Sequence, residues 1–289
     1  MMPFPLYPSP FKIGTRPKPL ERPWLLPDEA TPAHIADKKR VVGQEPRDRY
    51  FMARSDTLEA QMEVWDRLKT HLPVIAAERY VRNPHGVVFD GELVRYDEHA
   101  PLFSASLLVA DDLVLMRRHE DGWRLVAAGL FAPSYWKLAE KFDRSLQVIH
   151  GPVPGFGPGS RKAELINRMF DMLADDIILE RRNWSFHAEG DWFTPGHHPH
   201  HLLSDDVDDA VLAQMYVRRE YQTIRKVPET GDILFTIHVT TQQLNQIRGG
   251  QEASELAAGV RNLEADQQVY KGLEAGRMRL ADYLDASIG

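Results

Sequence analysis

The chain has 289 residues, of which 43% are hydrophobic and 27% charged, the balance of a soluble globular protein that buries a real core. A formal net charge of −7 argues against a nucleic-acid or anionic-membrane surface, and no apolar run approaches the ~20 residues that a membrane span needs. The absence of cysteine excludes disulfides, zinc–thiolate sites, cysteine nucleophiles and iron–sulfur clusters held by this chain, so any metal must rest on histidine, carboxylate or tyrosine.

The first stretch, "MMPFPLYPSPFKIG", lacks a basic segment followed by an apolar one, so no secretory signal is expected and the cytoplasm is the expected compartment. Residues 1–46 carry Pro3, Pro5, Pro8, Pro10, Pro17, Pro19, Pro23, Pro27 and Pro32, and read as an extended arm lying on the domain. A first helix follows. Asp56 and Glu59 have capping-box spacing, and Leu58, Met62, Trp65, Leu68 and Leu72 recur at helical period. The pieces "GVVFDGELVRY", "FSASLLVADDLVLMRR" and "GWRLVAAGLFAPS" read as strands, and Ser134 is a candidate cap for a short helix through "YWKLAEKF".

"SLQVIHGPVPGFGPGSRKAELI" then reads as strand, loop and helix. Ser160 is placed to cap that helix and Glu164 to favour its positive end; Leu165, Ile166, Met169, Phe170, Leu173 and Ile177 form the expected buried stripe. "DDAVLAQMYVRREYQTIRKV" reads as an amphipathic helix, and "DILFTIHVT" as a strand with Ile233, Phe235, Ile237 and Val239 on one face. Residues 246–289 read as a helical segment. Strands and helices mix without strict alternation, so the expected class is α+β, a mixed or antiparallel sheet with flanking helices, in one compact domain over residues 47–245.

Gly155 and Gly157 do not make a dinucleotide turn. Ser160 stands where a third glycine belongs, and Pro152, Pro154 and Pro158 remove three amide donors from the loop that would cradle phosphate. The same prolines stiffen the chain beside His150, as a metal-binding imidazole needs, but from the residues alone a histidine that ends a strand and hydrogen-bonds the loop is the plainer reading. "GHHPHH" (His197, His198, His200, His201) resembles a metal tract but lacks the i, i+4 pairing that presents two imidazoles together. Arg181, Arg182, Asn183 and Trp184 form a polar–aromatic patch, and an arginine fork is a natural partner for carboxylates. Arg218, Arg219, Glu220 and Gln222 fall on the expected helix, with Glu220 one turn from Tyr216 and Ile224; a surface ion pair is the plainer reading there.

Five stretches together carry a resemblance: "FKIGTRPKPLERPWLLPDE", "GWRLVAAGLFAPSYWKLAEKF", "LQVIHGPVPGF", the R-x-N-W of Arg181, Asn183 and Trp184, and "VRREYQTIRKVPETGDILFTIHV". In this order, over about residues 11–245, the chain resembles the α subunit of haem-dependent oxidative N-demethylase, also described as dimethylamine monooxygenase. The resemblance implies a PAS-like fold around b-type haem and oxidation of a small secondary amine, dimethylamine, to methylamine and formaldehyde with O2. It implies NADPH-derived electrons arriving through FMN and 2Fe-2S groups on partner reductase subunits, and a further tetrahydrofolate-binding subunit that captures formaldehyde. No nucleic acid or membrane partner is implied.

Matched to the I-H-x-P-V-P motif, His150 becomes the first candidate for the iron ligand. The resemblance makes Arg181 and Arg218 candidates for the propionates or bound oxygen, and Glu220 and Gln222 candidates for the ammonium group or proton delivery. Asn183 goes with the motif, while Trp184 and Tyr135 are candidates to pack on the porphyrin or the cation. The sequence departs from the family's pattern at His238, where an arginine is expected, and in "VADDLVLM", a loose version of an acidic strand; His187 and His238 are rival ligands. The alternative is a non-catalytic haem- or ligand-binding sensor on a PAS-like fold.

Overall fold

The computed structural model describes residues 13–19, 21–25, 27–196 and 201–286. The elements run β1 (Arg16–Pro17), α1 (Thr31–Gln44), β2 (Phe51–Ala53), α2 (Leu58–Ile75), β3 (Tyr80–Asn83), β4 (Gly86–Phe89), β5 (Glu92–Arg95) and α3 (Pro101–Ser106). Next come β6 (Asp112–His119), β7 (Gly122–Gly129), α4 (Leu138–Lys141), α5 (Leu146–Ile149), α6 (Arg161–Asp171) and β8 (Ile178–His187). The chain closes with α7 (Asp209–Gln214), β9 (Tyr216–Lys226), β10 (Ile233–Gln243), α8 (Leu244–Ile247), α9 (Gln251–Arg261), α10 (Ala265–Lys271) and α11 (Arg277–Asp285).

The class is α+β. Seven antiparallel strands form one sheet in the order β1-β8-β9-β10-β6-β7-β2, and β3-β4-β5 form a small second sheet. Side chains alternate across a strand, and β6 shows the result: Leu113 and Leu115 enter a core with α1, α2 and the small sheet, while Val114 and Met116 enter another beneath α5 and α6. A third apolar cluster joins Trp184, Phe186 and Val217 to the C-terminal helices. No helix of the described residues is long and apolar enough to cross a membrane.

Several expected elements change. Residues 31–44, expected within the extended arm, form α1, because Pro32 sits in the first turn where its missing N–H costs nothing. Leu146–Ile149 is the short helix α5 rather than a strand, with His150 at its C-cap donating its amide to the Leu146 carbonyl at 3.0 Å. Pro152 stops it from running on. Residues 216–226 form the longest-paired strand, β9, and only Asp209–Gln214 of the expected long helix is helical.

Other expectations hold in part. In α2, Trp65, Leu68 and Leu72 are buried, whereas Leu58 and Met62 are exposed and Asp56 and Glu59 form no capping box. Ser160 does cap α6, its hydroxyl accepting from the Ala163 amide at 3.2 Å, and Ile166, Phe170 and Leu173 are buried while Leu165 is exposed. Lys137, not Ser134, occupies the cap of α4.

Candidate functional site

A cavity of about 580 Å³ lies against one face of the large sheet, within the range of roughly 300–1,000 Å³ typical of small-molecule and cofactor sites. Its apolar walls come from Val114 and Met116 of β6, Phe235 and Ile237 of β10, and Ile166 and Phe170 of α6. The α5 end and the proline loop after it add Ile149, His150, Pro152, Val153 and Phe156. Ile13 and Thr15 reach it from the arm, which is tied down where buried Glu180 accepts from Arg16 at 2.9 Å and from the Tyr221 hydroxyl at 2.6 Å.

The polar end is built on strand register. Arg181 pairs with Gln222 and Asn183 with Glu220 across β8 and β9, and all four side chains point into the cavity. Glu220 is the hub. Its Oε2 accepts from Gln222 Nε2 at 2.7 Å and from Asn183 Nδ2 at 3.2 Å, and its Oε1 lies 3.8 Å from Arg218 Nε. Lys141 and Lys271 line the same end, Lys141 with its ammonium 3.8 Å over the Trp136 ring and Lys271 donating to the Trp184 carbonyl at 2.6 Å.

Burial pushes both lysines down to about 8, with Glu220 opposing the shift in each. Arg181 is lowered by burial and supported by Glu220, and no described residue accepts a hydrogen bond from its Nε. So three cations, from Lys141, Arg181 and Lys271, share the partly buried carboxylate of Glu220. Glu140 also lines the cavity, but its carboxylate is turned to solvent and Lys137. The surplus of positive charge calls for an anion.

His150 faces this end as a neutral imidazole. Burial, then the charges of Arg181 and Lys141, push it down to about 4, against the pull of a hydrogen bond to the Leu146 backbone. A neutral ring braced by a backbone carbonyl is the form in which histidine binds a metal.

The other candidates are dispersed. Tyr135 lines the cavity in a left-handed conformation (φ 57), its ring stacked on His187 at 4.4 Å. His187 is fully buried and its Nε2 lies 3.2 Å from both Ser134 Oγ and Ser185 Oγ. Arg218 is buried behind the wall rather than on it. Trp184 packs chiefly with the C-terminal helices, and its contribution at the cavity is the carbonyl that holds Lys271.

His238 belongs to the opposite face. It bridges Asp111 and Asp28 at 3.4 Å each, and although burial opposes its charge these hydrogen bonds push it up to about 10. An imidazolium offers no lone pair to a metal. In the histidine tract, His197, His198 and His200 lie outside the described residues, and His201 is exposed beside Glu274 at 3.8 Å. Sequence reasoning missed Lys141, Tyr270 and Lys271. The last two come from the C-terminal segment, and only long-range packing brings them to Glu220.

A family model described as haem-dependent oxidative N-demethylase, alpha subunit-like, matches residues 18–280. No curated protein matches the chain.

Proposed function

The chain belongs to the haem-dependent oxidative N-demethylase, alpha subunit-like family, and we propose that its cavity holds haem b with His150 as the iron ligand and serves the oxidation of a methyl group on a small secondary amine. The observation that carries this reading is a neutral imidazole on a proline-braced loop, opening into a largely apolar cavity at the end that carries surplus positive charge. Bound there, the haem would supply oxygen activation, chemistry that no side chain of this protein can provide.

The residues fit such a group. Ile149, Val153, Phe156, Ile166 and Phe170 give the flat apolar enclosure that a porphyrin needs and keep water away from the reacting methyl group. Lys141, Arg181 and Lys271 suit the propionates, whose two negative charges match the excess of three cations over Glu220. Asn183 and Gln222 orient Glu220, which binds the ammonium form of the substrate or passes it a proton. Tyr135 and Trp136 also line the cavity.

For dimethylamine the balanced change consumes O2, two electrons and two protons, and yields methylamine, formaldehyde and water. The chain has no cysteine to hold an iron–sulfur relay of its own, which supports delivery of NADPH-derived electrons by partner subunits carrying FMN and 2Fe-2S. A tetrahydrofolate-binding partner would take the formaldehyde. The test is formaldehyde release from dimethylamine by the haem-loaded chain supplied with O2 and a reducing system. Haem-loaded, reducible protein that releases none from any small methylamine would instead be a sensor.

A further inference from the structure

We propose that Asp112 is a positioning residue for this site, acting through Arg218 on the Ala132–Tyr135 wall and on Glu220; the proposal rests on the reading of Glu220 as the substrate-facing carboxylate. Asp112 opens β6 and is fully buried. Its two carboxylate oxygens accept the amides of Phe131 at 2.7 Å and Ala132 at 3.0 Å. Arg218, also fully buried, donates to the carbonyl of the same Ala132 and to that of Trp192 at 3.3 Å.

Ala132 is therefore gripped at both ends, its N–H by a carboxylate and its C=O by a guanidinium. The backbone it fixes carries Ser134 and Tyr135 into the cavity. A tyrosine at φ 57 persists only where its surroundings impose that conformation; the clasp constrains it from just before, and Thr194 from beside it, donating to the Pro133 carbonyl at 2.8 Å and accepting from the Tyr135 amide at 3.0 Å. Ser134 then meets His187, on whose ring Tyr135 stacks.

The clasp also reaches the substrate side. Arg218 Nε is 3.8 Å from Glu220 Oε1 and makes no hydrogen bond among the described residues. Asp112 and Glu220 are the carboxylates whose charge supports the buried guanidinium. Neutralising Asp112 leaves Glu220 as the remaining counterion, so the guanidinium closes on Oε1 and competes there with a cationic substrate. A residue that only stabilised the fold would lower the amount of active protein without changing how the remainder binds amine.

Asp112→Asn and Arg218→Lys separate these outcomes. Both are compared with wild type by thermal unfolding, haemin titration, kcat and KM for dimethylamine, and hydrogen exchange of the amides over residues 131–136. We expect folded Asp112→Asn to hold haemin within about twofold of wild type while KM rises roughly tenfold, and amide exchange at Ser134 and Tyr135 to quicken in both variants. Folded variants with wild-type KM and wild-type exchange overturn the proposal. If wild-type protein takes up no haem, the haem reading falls, and exchange in the cofactor-free chain still decides whether the clasp sets the wall. Should Asp112→Asn fail to fold, Arg218→Lys, which keeps the charge and loses the fork, carries the same comparison.

Discussion

Asn183 and Glu220 face one another across paired strands, and the Asn183 amide donates to the Glu220 carboxylate at 3.2 Å. With Gln222 on the same oxygen, two neutral donors aim one negative charge at a cavity end furnished with Lys141, Arg181 and Lys271. The strand register brings these donors to the carboxylate, since neighbouring positions on a face of a sheet are regularly spaced.

Glu220→Gln keeps the shape and removes the charge. The three cations lose their shared counterion, so the lysines should fall further below about 8. We expect formaldehyde release to drop at least ~100-fold, with a lowered Tm. A variant with wild-type turnover would remove Glu220 from the mechanism.

Lys271→Met removes one cation and leaves an apolar chain of similar length beneath the Trp184 ring, which the ammonium now approaches at 4.3 Å. Haemin affinity should weaken about tenfold, equivalent to ~1.4 kcal/mol, in a direct titration. Unchanged affinity would show that the propionates lie elsewhere.

Glu180 ties the arm to β8 and β9 through Arg16, Arg22 and Tyr221. Its carboxylate is fully buried, while both arginines keep some solvent contact, which screens the pairing. Glu180→Gln should cost about 2 kcal/mol and make the chain around residues 13–25 an early site of limited proteolysis. Cleavage at the wild-type rate would mean that the strap is held by something else.

His238 gives the fold a pH signature. Its pKa rises from an ordinary 6.5 to about 10 because Asp111 and Asp28 outweigh burial. A raised cation stabilises fully below pH ~6.5, and the benefit is lost as pH climbs toward 10. His238→Gln should therefore cost about 3 kcal/mol near pH 7, and the gap in Tm from wild type should narrow steadily up to pH 10. A gap independent of pH would place the proton elsewhere.

The sequence pattern failed chiefly where function intervenes. In β9 the inward face is Arg218, Glu220, Gln222 and Ile224, so the apolar alternation that marks a strand is broken by the polar cavity, and the residual spacing of Val217, Tyr221 and Ile224 mimics a helix. In β10, whose inward face stays apolar, Phe235 and Ile237 line the cavity from the face that alternation indicates. The α1 helix was hidden by prolines and by the burial of His34 and Lys38, polar residues that no apolar stripe announces. His150, Arg181, Asn183, Glu220 and Gln222 were legible as motif members and do converge on one cavity. Arg218 does not reach its surface.

The most direct test of the account is the absorption spectrum of the haemin-reconstituted chain beside that of His150→Ala. Because His150 stands at the cavity wall and its amide, which the substitution keeps, closes the α5 cap, the variant loses only the ring's hydrogen bond to the Leu146 backbone and should keep the wild-type Tm within a few degrees. We predict a Soret band with stoichiometric haem in the wild type, and its loss or displacement in the variant. A wild type with no Soret band, or a variant with an unchanged ferric spectrum, would contradict ligation of iron by His150.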